Sequence, residues 1–302
     1  MEKIEIFFIP VNCCKLTKMY DYRKYDLGPL CKLRDWIPIE NLNWESLSRN
    51  PNAIHLLEQN LETIDWEWLS ANINAIPILE KNLDKIRWDW LSKNPNAIRL
   101  LEQNPNKIYW YWLSQNPNAI HLLEQNSEKK YLENRWYFLS CNPNPNAIHI
   151  LEQNLDNIDW DILSCNPSAI HLLEQNLDKV DWYYLSENPN AIHILEQNLD
   201  KIDWLALNIN PNAIHLLEQN LKKIDWDSLS LNPNAIHLLE QNLEEISWYN
   251  LSMNPFIFEY DYEAMRCRMM PLAEDLIANR FHPKNFEKWV GWGFDEFQEC
   301  EF

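Results

Sequence analysis

A column of histidines is the part of the sequence whose residue types and spacing come closest to a chemical site. They recur at one position of a repeated phrase, and a glutamate follows each of them three residues later. The histidines are His55, His121, His149, His171, His193, His215 and His237. Imidazole and carboxylate groups bind zinc and transfer protons. On successive stacked helices, however, they would lie about 8 to 10 Å apart, whereas zinc requires ligands at about 2 Å.

We therefore expect the histidine column to be structural and to bind no metal. Each histidine is predicted to donate hydrogen bonds or to contact the glutamate three residues on in its own copy, as helical neighbours do. Pro77 and Arg99 replace histidine in two copies. A pH-dependent array is the alternative that the pattern leaves open.

No catalytic constellation accompanies the histidines. The chain has only three glycines, so a glycine-rich phosphate loop is absent, and no serine or cysteine has an evident base. Cys13, Cys14 and Cys31 invite a zinc interpretation, but adjacent cysteines are poor ligand spacing and no histidine lies nearby. Seven cysteines without framework spacing indicate free thiols in a reducing compartment. The sequence predicts neither an enzyme nor a cofactor.

The aromatic residues that vary between copies are the remaining candidates for a site. The position two residues after each repeated tryptophan is held by Ser46, Trp68, Trp90, Trp112, Phe138, Ile162, Tyr184, Ala206, Ser228 and Asn250. Bordering positions add Tyr111, Tyr137 and Tyr183. Other positions barely change within this chain, so those free to differ are expected to face solvent or a partner. The middle aromatics are predicted to bind a protein partner, and the alternative is that they complete the core.

These residues belong to a repeat of 22 residues. Trp44, Trp66, Trp88 and Trp110 keep this spacing, as do the five tryptophans from Trp160 to Trp248. Nine full copies and one partial copy span residues 39–254, and a period of this length is typical of a solenoid. We predict one elongated domain with caps at residues 1–38 and 255–302, the second ending in an acidic tail. An insertion at residues 127–135 predicts a bend or a protruding loop.

Local signals in each copy predict two short helices and hence an all-α solenoid of helical hairpins. In residues 221–242, Asp225 is placed to cap the first helix, and Asn232 caps a second one that Pro233 begins. The repeated tryptophan at the start of the first helix is predicted to be mainly core. The repeated asparagines and the serine of Leu-Ser are predicted to act as caps and to form hydrogen-bond ladders between copies. Asn242 is expected to end the second helix in the left-handed conformation, and Leu243 to fold back on it.

Two further expectations concern proline and the alternative fold. Pro77 lies inside a second helix, which is therefore predicted to be kinked or to start late. A β-solenoid can also have a repeat of this length, but the apolar residues have helical spacing and the chain lacks the glycines of tight turns.

The formal net charge of -19 bears on partners and location. An acidic surface repels nucleic-acid phosphates and anionic lipid headgroups. The apolar segment at residues 4–11 is too short to span a membrane and lacks the layout of a signal peptide. We expect an unsecreted monomer that binds neither membranes nor nucleic acid.

The repeated wording carries a resemblance. The phrase Asn-Pro-Asn-Ala-Ile-His-Leu-Leu-Glu-Gln-Asn, with Ile-Asp-Trp-x-x-Leu-Ser, resembles the tandem repeats of uncharacterised proteins encoded by giant, nucleocytoplasmic large DNA viruses. The segment at residues 254–262, with the later His282-Pro283, is similar to how such proteins end. The resemblance implies an origin and a location in the host-cell cytoplasm or the virion. It implies no activity.

Three functional hypotheses follow. The first is a non-catalytic scaffold that binds a protein partner along the solenoid. The second is a structural component of the virion, which would self-associate or pack on capsid proteins. The third is single-stranded nucleic-acid binding through stacked aromatics, which requires a positive groove.

Overall fold

The computed structural model describes residues 31–125, 135–276 and 278. The chain divides into two compact units, residues 33–259 and residues 1–32 with 260–302. The first unit contains the repeats. Nine copies fold as two short helices each and the partial tenth copy as one, so the predicted all-α repeat solenoid is confirmed. In the described residues the only strands are β1 (Cys31–Leu33) and β2 (Phe258–Tyr260), which form a two-stranded sheet. The β-solenoid alternative is therefore excluded.

The first helix of each copy has an odd number and the second an even number. The first helices are α1 (Trp44–Leu47), α3 (Trp66–Ala71), α5 (Trp88–Ser92), α7 (Trp110–Leu113), α9 (Arg135–Cys141), α11 (Trp160–Ser164), α13 (Trp182–Glu187), α15 (Trp204–Leu207), α17 (Trp226–Leu229) and α19 (Trp248–Met253). The second helices are α2 (Ile54–Gln59), α4 (Ile76–Lys81), α6 (Ile98–Glu102), α8 (Ile120–Gln125), α10 (Pro145–Glu152), α12 (Ile170–Gln175), α14 (Ile192–Glu196), α16 (Ile214–Gln219) and α18 (Ile236–Glu240). Short 3-10 helices lie between them at Ile39–Asn41, Leu61–Thr63, Pro95–Ala97, Pro105–Lys107, Leu155–Asn157, Pro167–Ala169, Leu199–Lys201, Leu221–Lys223, Pro233–Ala235, Leu243–Glu245 and Pro255–Ile257.

The predicted helix starts are confirmed. The Asp225 carboxylate accepts a hydrogen bond from the Ser228 backbone N–H at 2.9 Å and caps α17. The Asn232 side chain accepts one from the Asn234 N–H at 3.0 Å, and Pro233 opens a 3-10 turn that leads into α18. Each cap satisfies a backbone donor that the helix itself leaves unpaired.

The predicted helix stop is wrong in its mechanism. Asn242 has φ -135°, so it is not left-handed. It ends α18 instead by donating its side-chain amide to the Leu238 carbonyl at 2.8 Å, which satisfies one of the carbonyls left open at the helix end. Leu243 does not fold back on the helix, because it is 47% exposed and begins the next 3-10 turn.

The expectation for Pro77 is also wrong. α4 begins at Ile76, the position that corresponds to Ile54 at the start of α2. Pro77 is therefore the second residue of the α-helix. A backbone N–H in the first turn has no partner within the helix, so proline costs no hydrogen bond there.

The core lies deeper than the tryptophan column. The fully buried apolar side chains include the leucine three residues after most of the tryptophans, the alanine just before the second helix and a leucine within that helix, as in Leu163, Ala169 and Leu173. Trp160 itself is only half-buried, and Lys179 of the next copy lies 4.7 Å from its ring centroid. The prediction that the tryptophans are mainly core is therefore corrected: they form its edge, and lysines lie over the rings of Trp88, Trp160, Trp182 and Trp204.

Buried asparagines join neighbouring copies by a ladder of hydrogen bonds, as predicted from the sequence. Asn188 donates its amide to the carbonyls of Ser164 at 2.9 Å and Asn166 at 3.1 Å, while its oxygen accepts from the Asn190 N–H at 3.0 Å. The side chain thus uses two donors and one acceptor, a combination that serine and aspartate lack. Ten buried asparagines hold this position: Asn50, Asn72, Asn94, Asn116, Asn142, Asn166, Asn188, Asn210, Asn232 and Asn254.

The asparagine ladder has no end, because it continues from the last copy to the first. Asn50 in copy 1 donates to the carbonyls of Ser252 at 3.0 Å and Asn254 at 2.8 Å in copy 10. The backbone N–H of Asn43 donates to the Ser252 hydroxyl at 2.8 Å, and the Arg34 N–H to the Ile257 carbonyl at 3.0 Å. Copies 1 and 10 are therefore joined like any other neighbours.

The unit of residues 33–259 is consequently a closed ring of copies. The expected elongation is wrong, since an average rotation of about 36° per copy returns ten copies to their starting point. The apolar ends for which the sequence predicted caps do not arise, because α1 and α19 cover each other. Residues 1–30 and the insertion up to residue 134 lie outside the described residues, so the protruding loop stays a prediction.

The described part of the second unit is mainly α20 (Tyr262–Asp275). The Asp261 side chain caps it by accepting from the Ala264 N–H at 2.8 Å. Pro271 lies inside this helix and removes one internal hydrogen-bond donor.

Candidate functional site

The structure brings three of the predicted site residues into one row, which we call the aromatic stripe: Trp68, Trp90 and Trp112. They lie at the third position of α3, α5 and α7, on three consecutive copies. The ring centroids of Trp68 and Trp90 are 5.0 Å apart, and those of Trp90 and Trp112 are 6.0 Å apart with nearly parallel planes. All three side chains are half-buried, so part of each indole remains open to solvent. The side chain of Phe138 lies outside what the structure describes.

Two cations contact the stripe, and neither was predicted from the sequence. Arg49 and Lys93 share one repeat position, five residues after the tryptophan of copies 1 and 3. The Arg49 guanidinium lies 5.0 Å from the Trp68 ring centroid. The Lys93 Nζ lies 3.6 Å from the centroid of Trp90 and 5.1 Å from that of Trp112. Cations at these distances from ring faces are attracted by the negative π-electron density.

Within the described residues, neither cation has a carboxylate oxygen within 4.0 Å. The nearby acids are engaged elsewhere, because Arg87 binds Glu67 at 2.8 Å and Asp89 at 3.2 Å. Burial is the main cause that lowers the pKa of Lys93 to about 8, and the positive charge of Arg49 adds to it. The stripe therefore presents positive charge that the protein only partly neutralises.

The predicted tyrosines fall into two groups. Tyr111 is 48% exposed and packs edge-on against Trp112, with centroids 5.3 Å apart, so it forms a rim of the stripe. Tyr183 is exposed and packs edge-on against the half-buried Tyr184, three copies away from Trp112. Tyr137 is exposed between them, and its pKa is raised first by partial burial and then by neighbours that include Tyr111 and Tyr184.

An open cleft of about 590 Å³ lies at the start of copies 3 and 4. Its walls include Arg87, Asp89, Lys107 and Tyr109. Tyr109 is 53% exposed and was not singled out from the sequence, because the repeat has aspartate at this position in five of its ten copies. The cleft shares Arg87 and Asp89 with the surroundings of the stripe, so polar and aromatic groups converge on this part of the ring.

The histidine column pairs mainly between copies. His171 Nε2 lies 2.7 Å from Glu152 Oε1 of the preceding copy, and His193 Nε2 lies 2.6 Å from Glu174 Oε1. The same contact is made by His121, His215 and His237. Among the described side chains, the expected partner three residues on is found for His149, at 3.3 Å, and that expectation is wrong for His171, His193, His215 and His237.

Two details of the column concern its charge. Hydrogen bonds from His171 and His149 lower the pKa of Glu152. Burial lowers the pKa of His55, which packs edge-on against Phe258 across the join between copies 1 and 10. In copy 2, where proline replaces histidine, Lys81 lies 4.0 Å from Glu58 of the preceding copy. The column thus links adjacent second helices by exposed side-chain contacts, which contribute little stability individually.

The cysteines and carboxylates form no metal site in the part of the chain that the structure describes. Burial raises the pKa of the Cys31, Cys141 and Cys165 thiols, that of Cys141 to about 12. Such thiols stay protonated at neutral pH and are poor nucleophiles. Cys13 and Cys14, two of the residues considered for zinc, lie outside the described residues.

Comparison with models of protein families, with curated proteins and with solved structures finds no match. None of the described helices is long and apolar enough to cross a lipid bilayer. The fold alone therefore defines the class of protein: a closed ring of helical repeats that carries the aromatic stripe.

Proposed function

We propose that this protein is a non-catalytic scaffold that binds a protein partner through the aromatic stripe. The observation that carries this proposal is the row of half-buried indoles, Trp68, Trp90 and Trp112, on consecutive copies. Tryptophan and tyrosine in such clusters supply much of the binding energy of protein interfaces. Tyr111 extends the row with an exposed ring.

The fold does not require aromatic residues at this position. Ser46 and Ala206 fill it in copies 1 and 8, where both are 2% exposed, and the ring forms there with the same asparagine ladder. The indoles contact one another and the two cations, whereas the fully buried leucines form the core beneath them. Tryptophan therefore occupies a position where small residues are sufficient for folding, which favours a binding role over a structural one.

A closed ring suits this role because it holds the stripe in one geometry. Every copy has a neighbour on both sides, so no terminal copy can fray. A surface that is rigid before binding loses less conformational entropy when a partner docks.

The resemblance to giant-virus repeat proteins supports a location. We propose that the scaffold acts in the cytoplasm of an infected cell or in the virion.

The alternatives make different use of the same surface. Single-stranded nucleic acid would need free aromatic faces and a positive groove, but Lys93 covers Trp90 and the chain is strongly acidic. A structural virion component would self-associate through the stripe. Sedimentation of the purified protein separates these classes, since the scaffold is expected to be monomeric.

The test replaces Trp68, Trp90 and Trp112 together by serine and compares capture of partners from a lysate of cells that make the protein. The control replaces three exposed apolar residues elsewhere on the ring, Leu205, Leu221 and Tyr249, by serine. The stripe variant should keep its helical circular dichroism and lose the captured protein, while the control keeps both. An unfolded stripe variant, or equal capture by both variants, would contradict the proposal.

A further inference from the structure

The charge of the ring is distributed unevenly, and this bears on what the stripe binds. Copies 3 and 4, residues 83–126, contain five basic and four acidic side chains. Copies 6 to 9, residues 155–242, contain four basic and fourteen acidic ones. The arc that carries Trp90 and Trp112 is therefore slightly positive within an acidic protein. A potential of opposite sign to the rest of the surface selects the charge of a partner.

The positive charge of this part of the ring includes two cations that lie on the stripe. Lys93 is half-buried against Trp90 and Trp112, and Arg49 lies over Trp68. Within the described residues neither is paired with a carboxylate, since Glu67 and Asp89 bind Arg87. A partly desolvated cation without a counter-charge gains most from an anion that a ligand brings.

From these observations we propose that the stripe binds an acidic peptide segment in which carboxylate and aromatic side chains take turns at every second residue. This inference rests on the proposed function and names its partner class. The carboxylates pair with Lys93 and Arg49, and the aromatic side chains pack on the open edges of the indoles and on Tyr111. In an extended segment residues i and i+2 share one side, so a carboxylate at i and an aromatic side chain at i+2 both face the stripe.

Binding of the segment also has a steric requirement. The ammonium of Lys93 must stay near the Trp90 face or swing toward the incoming carboxylate, and both positions keep a positive charge over the stripe. Nucleic acid must instead displace Lys93, whose Nζ lies 3.6 Å from the Trp90 centroid, to stack a base on that ring. The geometry thus favours a peptide over nucleic acid.

The experiment measures binding of fluorescein-labelled octapeptides by fluorescence anisotropy at low and moderate salt. One probe is the octapeptide Glu-Ser-Phe-Ser-Glu-Ser-Phe-Ser, its matched control has glutamine in place of both glutamates, and a third probe is a twelve-nucleotide oligothymidine. The full-length protein should bind the glutamate peptide about tenfold more tightly than the glutamine peptide, with a preference that salt weakens. Equal affinity for both peptides, or tighter binding of the oligonucleotide, would overturn the inference.

Variants of the two cations test where the glutamate peptide binds. The double variant R49Q/K93Q should bind the glutamate peptide about tenfold more weakly, whereas Lys93→Arg should restore most of the loss at that position because it keeps the charge. The matched control is Lys179→Gln, which removes a lysine that lies over Trp160 on the acidic side of the ring. A loss as large in this control as in the double variant would refute the assigned site.

The outcomes also separate this inference from the proposed function. If the stripe variant loses its captured protein but wild type binds no acidic peptide, then the partner class is wrong and the scaffold function stands. If the glutamate peptide binds the stripe variant as tightly as wild type, with folding of both confirmed by circular dichroism, then the stripe is not the site and both fail.

Discussion

Closure of the ring can be tested with one asparagine. Asn50 is fully buried and makes three hydrogen bonds: its amide donates to the carbonyls of Ser252 and Asn254, and its oxygen accepts from the Asn52 N–H. Asn50→Ala leaves the Ser252 and Asn254 carbonyls and the Asn52 N–H without this hydrogen-bond partner. At about 1 to 1.5 kcal/mol for each, the free energy of unfolding should fall by about 3 to 4 kcal/mol.

Asn188→Ala is the matched control, because Asn188 makes the same three hydrogen bonds in the middle of the array. In a closed ring the two variants should lose equal stability, since no interface is an end. In an open array Asn50 would keep only the local bond to Asn52, and its replacement would cost about 1 kcal/mol.

The assay is urea denaturation followed by circular dichroism at 222 nm, with the two variants and wild type side by side. Equal shifts of the midpoint for Asn50→Ala and Asn188→Ala would support closure. A small shift for Asn50→Ala beside a large one for Asn188→Ala would refute it, because the contact between copies 1 and 10 would then be absent in solution.

Three further predictions concern the core and two titrating groups. Leu163 is fully buried whereas Trp160 is half-buried, so Leu163→Ala should cost about 2 to 5 kcal/mol and Trp160→Ala less; the opposite order in urea titrations would contradict the assigned core. Hydrogen bonds from two histidines lower the pKa of Glu152 in the folded state. Its contribution to stability is therefore present at pH values above the ordinary glutamate pKa and is lost as the pH falls through the pKa of the folded state. A carbon NMR titration should therefore give a midpoint below 4.5, and one at or above 4.5 would show that the pairs do not form. Because burial lowers the pKa of Lys93 from 10.5 to about 8, the folded state binds fewer protons between these values and stability should rise with pH across that window. Lys93→Gln should lack this rise in urea titrations from pH 7 to 10, and an identical rise in the variant would contradict the lowered pKa.

Much of each copy could be predicted because its signals are local. Asp225, Asn232 and Pro233 act on donors within three residues, so their roles follow from the sequence. The errors at Pro77 and Asn242 share one cause. The second helix begins at the isoleucine after a turn, as at Ile76, and ends with a side-chain hydrogen bond, and neither detail is encoded in apolar spacing.

Closure of the ring could not be predicted, because it depends on a small rotation between copies that adds up over the whole array. The constancy of Asn50 and its equivalents indicated a ladder, but not that the last rung meets the first. The site was predicted in part. Trp68, Trp90 and Trp112 were found from their variation, whereas Arg49 and Lys93 occupy a second variable position whose proximity to the indoles only the structure reveals.

Site-specific photo-crosslinking tests the scaffold function most directly. Benzoylphenylalanine is placed at Tyr111, beside the stripe, or at Tyr249, an equally exposed tyrosine at the same repeat position of copy 10. After irradiation in a lysate of cells that make the protein, Tyr111 should yield a discrete crosslinked protein and Tyr249 should yield none. The same crosslink from both positions, or one from Tyr249 alone, would contradict a partner bound at the aromatic stripe.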